Sequence, residues 1–133
     1  MKSIHFICRG NAYRSRLAEA YALSLLEDNT HIKISSSGIE ADRALHGDVA
    51  PKTVRLLSEE SIQNYLTSTW HQTTQKDIDD NDSIIFMSQT LYSQASDLFK
   101  LPEDKIQVWD IPDVDGIYPK IKKKVKELIK TDV

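Results

Sequence analysis

Residues 2–19 read KSIHFICRGNAYRSRLAE and join an apolar segment to the start of a helical repeat. Ile4, Phe6 and Ile7 predict a short strand that ends at Cys8, and Leu17 opens an amphipathic helix. A loop between a strand and a helix N-terminus can turn its backbone N–H groups inward, at the positive end of the helix dipole. The stretch therefore predicts an anion-binding loop that contains a cysteine.

Apolar strands and helical repeats alternate along the rest of the chain. Further strands are predicted around Ile32 and Ile34, over residues 84–87, and at Ile106 and Val108. Helices are predicted up to about residue 28, from Pro51 onward, and over residues 91–99 and 121–129. The apolar positions expected to face the core include Leu25, Val54, Leu98 and Val108. This order is typical of an α/β fold, here a single-domain, three-layer, doubly wound sheet of four parallel strands with helices on both faces. Such sheets bind ligands at the carboxyl ends of their strands, where Cys8 falls.

The length and composition fit one compact domain over residues 1–133. Hydrophobic residues make up 40% of the 133 residues, which is enough for one ordinary core. The net charge of −3 gives no reason to expect nucleic acid or an anionic membrane as a partner. The sequence shows neither an apolar run of membrane-spanning length nor the pattern of a signal peptide, so we expect a cytoplasmic protein.

The chain contains one cysteine, Cys8. An intrachain disulfide and a multi-cysteine metal site are therefore excluded, and we expect neither a metal ion nor another cofactor. A lone cysteine can be a small buried apolar residue, but the positive potential of an anion-binding loop favours its thiolate, a strong nucleophile. The sequence thus predicts Cys8 as the nucleophile.

Three neighbours of Cys8 suit phosphate chemistry. The planar guanidinium of Arg14 can hold two phosphate oxygens at once. Gly10 offers the permissive backbone that a tight loop needs. Ser15 can hydrogen-bond the cysteine sulfur, or it can cap the N-terminus of the following helix, and the sequence leaves both roles open.

The segment from Cys8 to Ser15, followed by Leu17, Ala18 and Glu19, resembles the N-terminal phosphate loop of the low-molecular-weight protein tyrosine phosphatases. Similar landmarks follow in the same order along nearly the whole chain: Ser36, Ser37 and Gly38 after strand two, His71, the segment Asp82 to Met87, and the segment Trp109 to Asp113.

The resemblance implies a metal-free mechanism in two steps. Cys8 attacks phosphorus while Asp113 protonates the leaving oxygen, and water then hydrolyses the phosphocysteine with Asp113 as base. Ser15 helps Cys8 to leave. Asp110 and Asp115 lie in the same loop as Asp113, so the identity of the acid stays open, and all three aspartates can equally serve turns or cap the last helix.

The resemblance also implies which residues surround the phosphate. Arg9, Gly10, Asn11, Ala12 and Tyr13 would line the substrate side of the loop. Asn11, Ser36 and His71 match positions that hold this loop in shape by hydrogen bonds, although a histidine beside Trp70 can also be a packing residue. In this chain Tyr13 replaces a second cysteine that many relatives have, and Val114 and Asp115 replace a proline and an aromatic residue.

The expected substrate is a phosphorylated protein or a small aryl phosphate, with inorganic phosphate as product and inhibitor. Two alternatives remain. The loop also resembles that of the thioredoxin-coupled arsenate reductases, but a chain with one cysteine would need an external thiol to complete the reduction. The third hypothesis is a non-catalytic module that binds phosphorylated partners.

Overall fold

The computed structural model describes residues 2–27, 31–43 and 45–132. Its strands are β1 (Lys2–Cys8), β2 (Ile32–Gly38), β3 (Leu45–Asp48), β4 (Ser83–Phe86) and β5 (Ile106–Val108). Its helices are α1 (Arg14–Leu26), α2 (Pro51–Glu59), α3 (Gln75–Asp80), α4 (Gln89–Leu98) and α5 (Tyr118–Asp132). Short 3₁₀ helices cover Ala41–Arg43, Gln63–Tyr65 and Glu103–Lys105.

Four of the strands form one parallel sheet in the order β2-β1-β4-β5. Cys8 pairs with Gly38 at the end of β1, and Ile7 pairs with Phe86 of β4. Every residue of β1 after Lys2 is buried, so both faces of this central strand are covered, as expected when helices flank a parallel sheet. The predicted α/β class with four parallel strands is confirmed.

The helices pack on the sheet through one continuous apolar core. Helix α1 contacts β1, β2, α2 and α5, and α4 contacts β4. Aromatic pairs join these elements: the ring centroids of Tyr21 and Tyr118 are 6.1 Å apart, and those of Phe6 and Trp109 are 5.7 Å apart. Within the described residues, no helix is long and apolar enough to cross a membrane.

Some local predictions were wrong. The segment between β2 and α2, where no element was predicted, contains β3, and a further helix, α3, which was not predicted either, precedes β4. Helix α1 ends at Leu26, and residue 28, where its end was predicted, lies outside the described residues. The exposed apolar side chains include Leu25, Val54, Leu98 and Val108, all of which were expected in the core. Val108 is exposed because β5 is an edge strand, and Leu98 is exposed at the last residue of α4.

The sheet brings the carboxyl ends of its strands to one edge. The backbone N–H of Ile39 donates to the carbonyl of Cys8 at 3.0 Å, and that of Met87 donates to the carbonyl of Ile7 at 3.0 Å. Ile111, in the loop after β5, donates to the carbonyl of Met87 at 2.9 Å. The loops that follow β1, β2, β4 and β5 therefore meet at this edge.

Candidate active site

Cys8 lies at the end of β1 and is 3% exposed. Its Sγ atom accepts a hydrogen bond from the backbone N–H of Asn11 at 3.3 Å and lies 2.9 Å from the Ser15 hydroxyl. Both groups can donate to sulfur, and hydrogen bonds of this kind stabilise a thiolate. The surroundings of Cys8 thus suit a nucleophile.

A pocket of about 40 Å³ opens above this sulfur. It is lined by Cys8, Arg9, Gly10, Ala12, Tyr13, Arg14 and Asp113. Most of the predicted site residues from the loop after β1 therefore share one cavity with the predicted acid from the loop after β5. Asn11 was also expected on the substrate side but does not line the cavity, because its side chain is buried in hydrogen bonds to neighbouring segments. The cavity is far smaller than the pockets that take drug-sized ligands and suits a compact group such as phosphate.

Arg14 is the first residue of α1, and its side chain is only 7% exposed. Its Nη1 donates to the carbonyl of Ile111 at 2.9 Å, and its Nε lies 3.9 Å from Oδ1 of Asp113. A guanidinium has five N–H donors, so Arg14 can anchor the loop after β5 and still present donors to an oxyanion.

The three candidate aspartates occupy different environments. Asp113 lines the pocket and is 48% exposed. Asp115 points to Lys52 instead, with its Oδ1 2.9 Å from Nζ, and this hydrogen bond holds the pKa of Asp115 below its usual range. Asp110 is exposed and does not line the pocket. Helix α5 begins at Tyr118, so none of the three aspartates is its N-cap residue.

The N-cap alternative for Ser15 is wrong. Helix α1 begins at Arg14, its N-cap residue is Tyr13, and no side chain of the described residues caps it. Ser15 lies in the first turn and is fully buried behind Cys8. The uncapped N–H groups of this first turn place the positive end of the helix dipole at the pocket.

Asn11 connects the loop to its surroundings and adopts a left-handed backbone with φ of 52°. Its Oδ1 accepts from the backbone N–H of His71 at 2.8 Å, which fixes the orientation of the amide group. Its Nδ2 then donates to the hydroxyls of Ser15 at 2.8 Å and Ser36 at 2.9 Å. Because the Ser15 oxygen already accepts from Asn11, its own O–H is free to donate to the sulfur of Cys8.

His71 contacts this network through its main chain, not through its imidazole. The side chain is 55% exposed, and its Nε2 lies 3.1 Å from Oδ2 of Asp77. The N–H of His71 donates to Asn11, and its carbonyl accepts from the N–H of Gly38 at 2.9 Å. Any role of His71 in shaping the loop therefore depends on its backbone position.

Glu19 ends the hydrogen-bonded chain that begins at Asn11. The Ser36 hydroxyl accepts from Asn11 and donates to Oε1 of Glu19 at 2.6 Å. Burial raises the pKa of Glu19, while the hydrogen bond from Ser36 acts in the opposite direction. The chain gives every polar atom of the Asn11 side chain a partner.

Arg16 is a site residue that the sequence reasoning missed. Its side chain is fully buried, and its Nη1 donates to the carbonyls of Asn11 at 2.9 Å and Asp48 at 3.0 Å. Its Nη2 donates to the carbonyl of Thr67. Burial lowers the pKa of Arg16. Nothing in the sequence marked it, because a charged residue in the first turn of a helix usually faces solvent.

Gly38 explains why the loop can approach β2 so closely. A Cβ atom at this position would lie 2.6 Å from the carbonyl oxygen of Arg9 and 2.6 Å from the backbone nitrogen of Asn11. Contacts that short with backbone atoms cannot be relieved by a side-chain rotation. The resemblance included Gly38, but only the structure gives the steric reason.

Two pairs of residues form the rim of the pocket, and one member of each pair, Arg9 or Tyr13, lines the pocket itself. On one side the Nε of Arg9 donates to Oε2 of Glu40 at 2.5 Å, and this contact raises the pKa of Arg9. On the other side the Tyr13 ring is buried beneath the ammonium group of Lys52, which lies 3.8 Å from the ring centroid. Ala12, which also lines the pocket, is buried. No group of three or more acidic, histidine or cysteine side chains suited to a metal ion occurs among the described residues.

Comparison with known proteins places the chain among phosphatase-like proteins. The model of the low molecular weight phosphotyrosine protein phosphatase family matches residues 3–130. An arsenate reductase 1 of Bacillus cereus is 32% identical over 117 residues, which are 86% of this chain and 78% of that protein. Another arsenate reductase of Bacillus cereus is 41% identical over 61 residues, but this match covers 46% of this chain and only 40% of the reductase.

A solved structure agrees with the fold. The low molecular weight protein tyrosine phosphatase of Streptococcus pyogenes superimposes with a TM-score of 0.83 over 98% of this chain and 93% of that chain. Its sequence identity to this chain is 22%, so the comparison supports the fold and leaves the substrate to the chemistry of the site.

Proposed function

Because the chain belongs to the low molecular weight phosphotyrosine protein phosphatase family, we propose that it hydrolyses phosphomonoesters through a phosphocysteine formed on Cys8. The observation that carries this proposal is the shared pocket. The Cys8 sulfur, the Arg14 guanidinium and the Asp113 carboxyl lie around one small cavity at the N-terminus of α1. Residues 1–133 would form one domain, and a thiol that must stay reduced suits the cytoplasm.

In the first step, Cys8 attacks phosphorus in line with the ester oxygen. The S–P bond forms as the P–O bond breaks, and Asp113 gives its proton to the departing oxygen. Arg14 and backbone N–H groups of the loop after β1 would stabilise the negative charge of the transferring group. This step requires Asp113 to be protonated, and its place at the mouth of the pocket brings the carboxyl close to the ester oxygen.

In the second step, water attacks the phosphocysteine and Asp113 now takes a proton from that water. The S–P bond breaks, inorganic phosphate is released, and Cys8 leaves as a thiolate. The Ser15 hydroxyl, 2.9 Å from the sulfur, donates a hydrogen bond that stabilises the leaving thiolate.

We propose aryl phosphates and phosphorylated proteins as the substrate class. The pocket itself accommodates only the phosphate group, so the rest of the substrate would lie on the rim formed by Arg9 and Glu40 on one side and by Tyr13 and Lys52 on the other. The ion pair with Glu40 already engages the charge of Arg9, which reduces its capacity to recruit an acidic substrate.

The proposal is tested with p-nitrophenyl phosphate and phenyl phosphate, which differ in how much help their leaving groups need. Cys8→Ser should abolish hydrolysis of both esters and the trapping of a phosphoenzyme. Asp113→Asn should lower kcat/KM for phenyl phosphate by about 10²- to 10⁴-fold and for p-nitrophenyl phosphate much less.

Asp110→Asn is the matched control, since it changes a neighbouring carboxyl group outside the pocket. An effect of Asp110→Asn as large as that of Asp113→Asn would refute the assignment of the acid. Binding of phosphate without turnover of either ester would refute hydrolysis and support a phosphate-binding module.

Arsenate reduction is a second candidate because an arsenate reductase is 32% identical over 86% of this chain. Cys8 is the single cysteine of the sequence, so it could supply only one of the two thiols that reduction of arsenate oxidises. An external thiol such as glutathione would supply the other. Formation of arsenite from arsenate and glutathione, lost in Cys8→Ser, would establish this activity.

A further inference from the structure

We propose that Tyr13 and Lys52 are positioning residues that together hold the acid loop, residues 109–117, so that Asp113 stays over the pocket. We call the pair the Tyr13–Lys52 tether. The role in catalysis rests on the proposed function, whereas the mechanical role of the tether can be measured without it.

The tip of the acid loop has little packing to hold it. Residues 112–116 are all exposed, and Val114 and the side chain of Asp113 are 53% and 48% exposed. Gly116 adopts a positive φ of 83° and, as a glycine, has no side chain to contribute a contact at that point. Within the loop tip, the N–H of Val114 donates to the carbonyl of Pro112 at 3.0 Å. A loop so exposed needs polar links to the body of the protein if its aspartate is to keep one position.

Tyr13 supplies the first link. Its ring is 4% exposed, and its hydroxyl donates to the carbonyl of Val114 at 3.2 Å. Val114 directly follows Asp113 in the chain. Packing fixes the two side-chain torsions of this buried tyrosine, so its hydroxyl has a defined position. The hydrogen bond therefore restricts the backbone next to Asp113.

Lys52 supplies the second link. Its Nζ donates to Oδ1 of Asp115 at 2.9 Å and lies 3.8 Å from the centroid of the Tyr13 ring, within cation–π range. The two links therefore support each other, since the ring that holds Val114 also holds the ammonium group that binds Asp115. They restrain the two residues that follow Asp113.

Helix α2, which carries Lys52, is itself fixed to the phosphate loop. The hydroxyl of Thr53 donates to the carbonyl of Ala12 at 2.6 Å, and the N–H of Ala50 donates to the same carbonyl at 3.1 Å. Thr53 is fully buried. Tyr13, Lys52 and the phosphate loop are consequently fixed to one another, and the acid loop is attached to them.

The acid loop is thus held on both sides of Asp113. Arg14 binds the carbonyl of Ile111, before Asp113, and the tether binds Val114 and Asp115, after it. The carboxyl between these anchors lies 3.9 Å from the Nε of Arg14. Loosening the second anchor should move Asp113 away from the leaving oxygen without changing the nucleophile.

The test uses Tyr13→Phe and Lys52→Met, which remove the hydroxyl and the charge but keep most of the volume. The chain offers matched controls. Tyr92→Phe removes a hydroxyl bonded to Glu103, and Lys122→Met removes an ammonium group that binds Glu60 at 3.0 Å and lies 4.7 Å from the centroid of the Tyr118 ring. Neither control residue lines the pocket.

The first readout is amide hydrogen exchange of residues 110–117 followed by mass spectrometry. Loss of one hydrogen bond in Tyr13→Phe should speed exchange in this peptide by about 3- to 10-fold, and Lys52→Met should speed it as well. Tyr92→Phe and Lys122→Met should leave the peptide unchanged. Unchanged exchange in both tether variants would overturn the proposal, whether or not the protein hydrolyses phosphate esters.

The second readout separates positioning of the acid from a general effect on the pocket. Tyr13→Phe should lower kcat/KM for phenyl phosphate by about 3- to 10-fold more than for p-nitrophenyl phosphate, whose leaving group needs little protonation. In an Asp113→Asn background, Tyr13→Phe should cause no further loss, because the residue that it positions is already disabled.

Equal losses with both esters, or a full further loss in the Asp113→Asn background, would show that Tyr13 does not act through Asp113 and would overturn the proposal. A wild-type protein that hydrolyses neither ester would refute the proposed function instead. The exchange measurement would then still decide whether the tether holds the acid loop.

Discussion

His5 lies in the central strand β1, where it is 1% exposed and bonded to two serines of β2. Its Nδ1 lies 2.6 Å from the Ser35 hydroxyl and its Nε2 lies 2.8 Å from the Ser37 hydroxyl. Ser37 in turn lies 2.6 Å from the hydroxyl of Thr73, so the imidazole is part of a buried polar chain. Burial, with smaller contributions from nearby Lys33 and His71, lowers the pKa of His5 to about 4, against a partial opposing effect of Asp77.

Because of this buried histidine, we expect the free energy of unfolding to fall as the solution becomes more acidic. The unfolded chain binds a proton at His5 near pH 6.5, whereas the folded protein does so only near pH 4. Between these values the unfolded state holds more protons, so its free energy falls relative to the folded state as the pH is lowered. The loss should approach about 3 kcal/mol near pH 4 and should be absent above about pH 7.

Urea denaturation of the wild type and of His5→Gln between about pH 4 and pH 7.5 measures this effect. The glutamine variant should show a shallower fall in the free energy of unfolding, because its amide does not titrate. Burial raises the pKa of Glu19, which changes the stability with pH in the opposite direction. Glu19 is present in both proteins, so its contribution cancels from the comparison. Parallel pH profiles for the two proteins would contradict the prediction.

Single residues also show what could be predicted from the sequence alone. Cys8 and Arg14 were recognisable because a strand, a loop and a helix in immediate succession dictate the position of both residues. The roles of Arg16 and Lys52 were not, since each depends on a partner 32 or more residues away: the Asp48 carbonyl for Arg16 and the Asp115 carboxylate for Lys52. Distances of this kind along the chain leave no local pattern.

At the level of elements, the end of β2 approaches the phosphate loop so closely that position 38 has no room for a Cβ atom. Gly38→Ala would place a methyl group 2.6 Å from backbone atoms of Arg9 and Asn11, so the loop must shift. We expect a loss of stability of about 1–3 kcal/mol and a weaker affinity for inorganic phosphate, measured by denaturation and by competitive inhibition.

Gly47→Ala is the control for this substitution. Gly47 has a φ of 71°, and a methyl group added there would meet no heavy atom of the described residues within 4 Å, so alanine strains only its own backbone. The substitution should reduce stability without changing phosphate affinity. Equal phosphate affinity in Gly38→Ala and the wild type would show that the loop tolerates the shift.

The regular elements were predictable where an apolar pattern with helical or strand periodicity was bounded by residues typical of turns. The four sheet strands and helices α1, α2, α4 and α5 all follow such patterns. Helix α3 was missed because it is only six residues long, although Thr74 and Asp77 form a capping box that marks its start. Strand β3 was missed because it lies outside the parallel sheet, where no long apolar run is required.

At the scale of the whole molecule, three separate segments of the chain build the site. The loop after β1 supplies Cys8 and Arg14, the segment around α2 supports that loop, and the acid loop supplies Asp113. The pocket exists only when the sheet and the helices have assembled these segments. A ligand of the pocket should therefore bind the folded state alone and stabilise the whole protein.

Inorganic phosphate should accordingly raise the melting temperature. At a concentration about 100 times its dissociation constant it adds about 2.7 kcal/mol to the free energy of unfolding, or about 10 °C for a chain of this size. Calorimetry in phosphate and in chloride of equal ionic strength separates binding from salt effects. Arg14→Lys keeps the charge but loses the planar pair of donors, so phosphate should stabilise it much less. An equal rise in the wild type and in Arg14→Lys would mean that phosphate binds at a place that Arg14 does not reach.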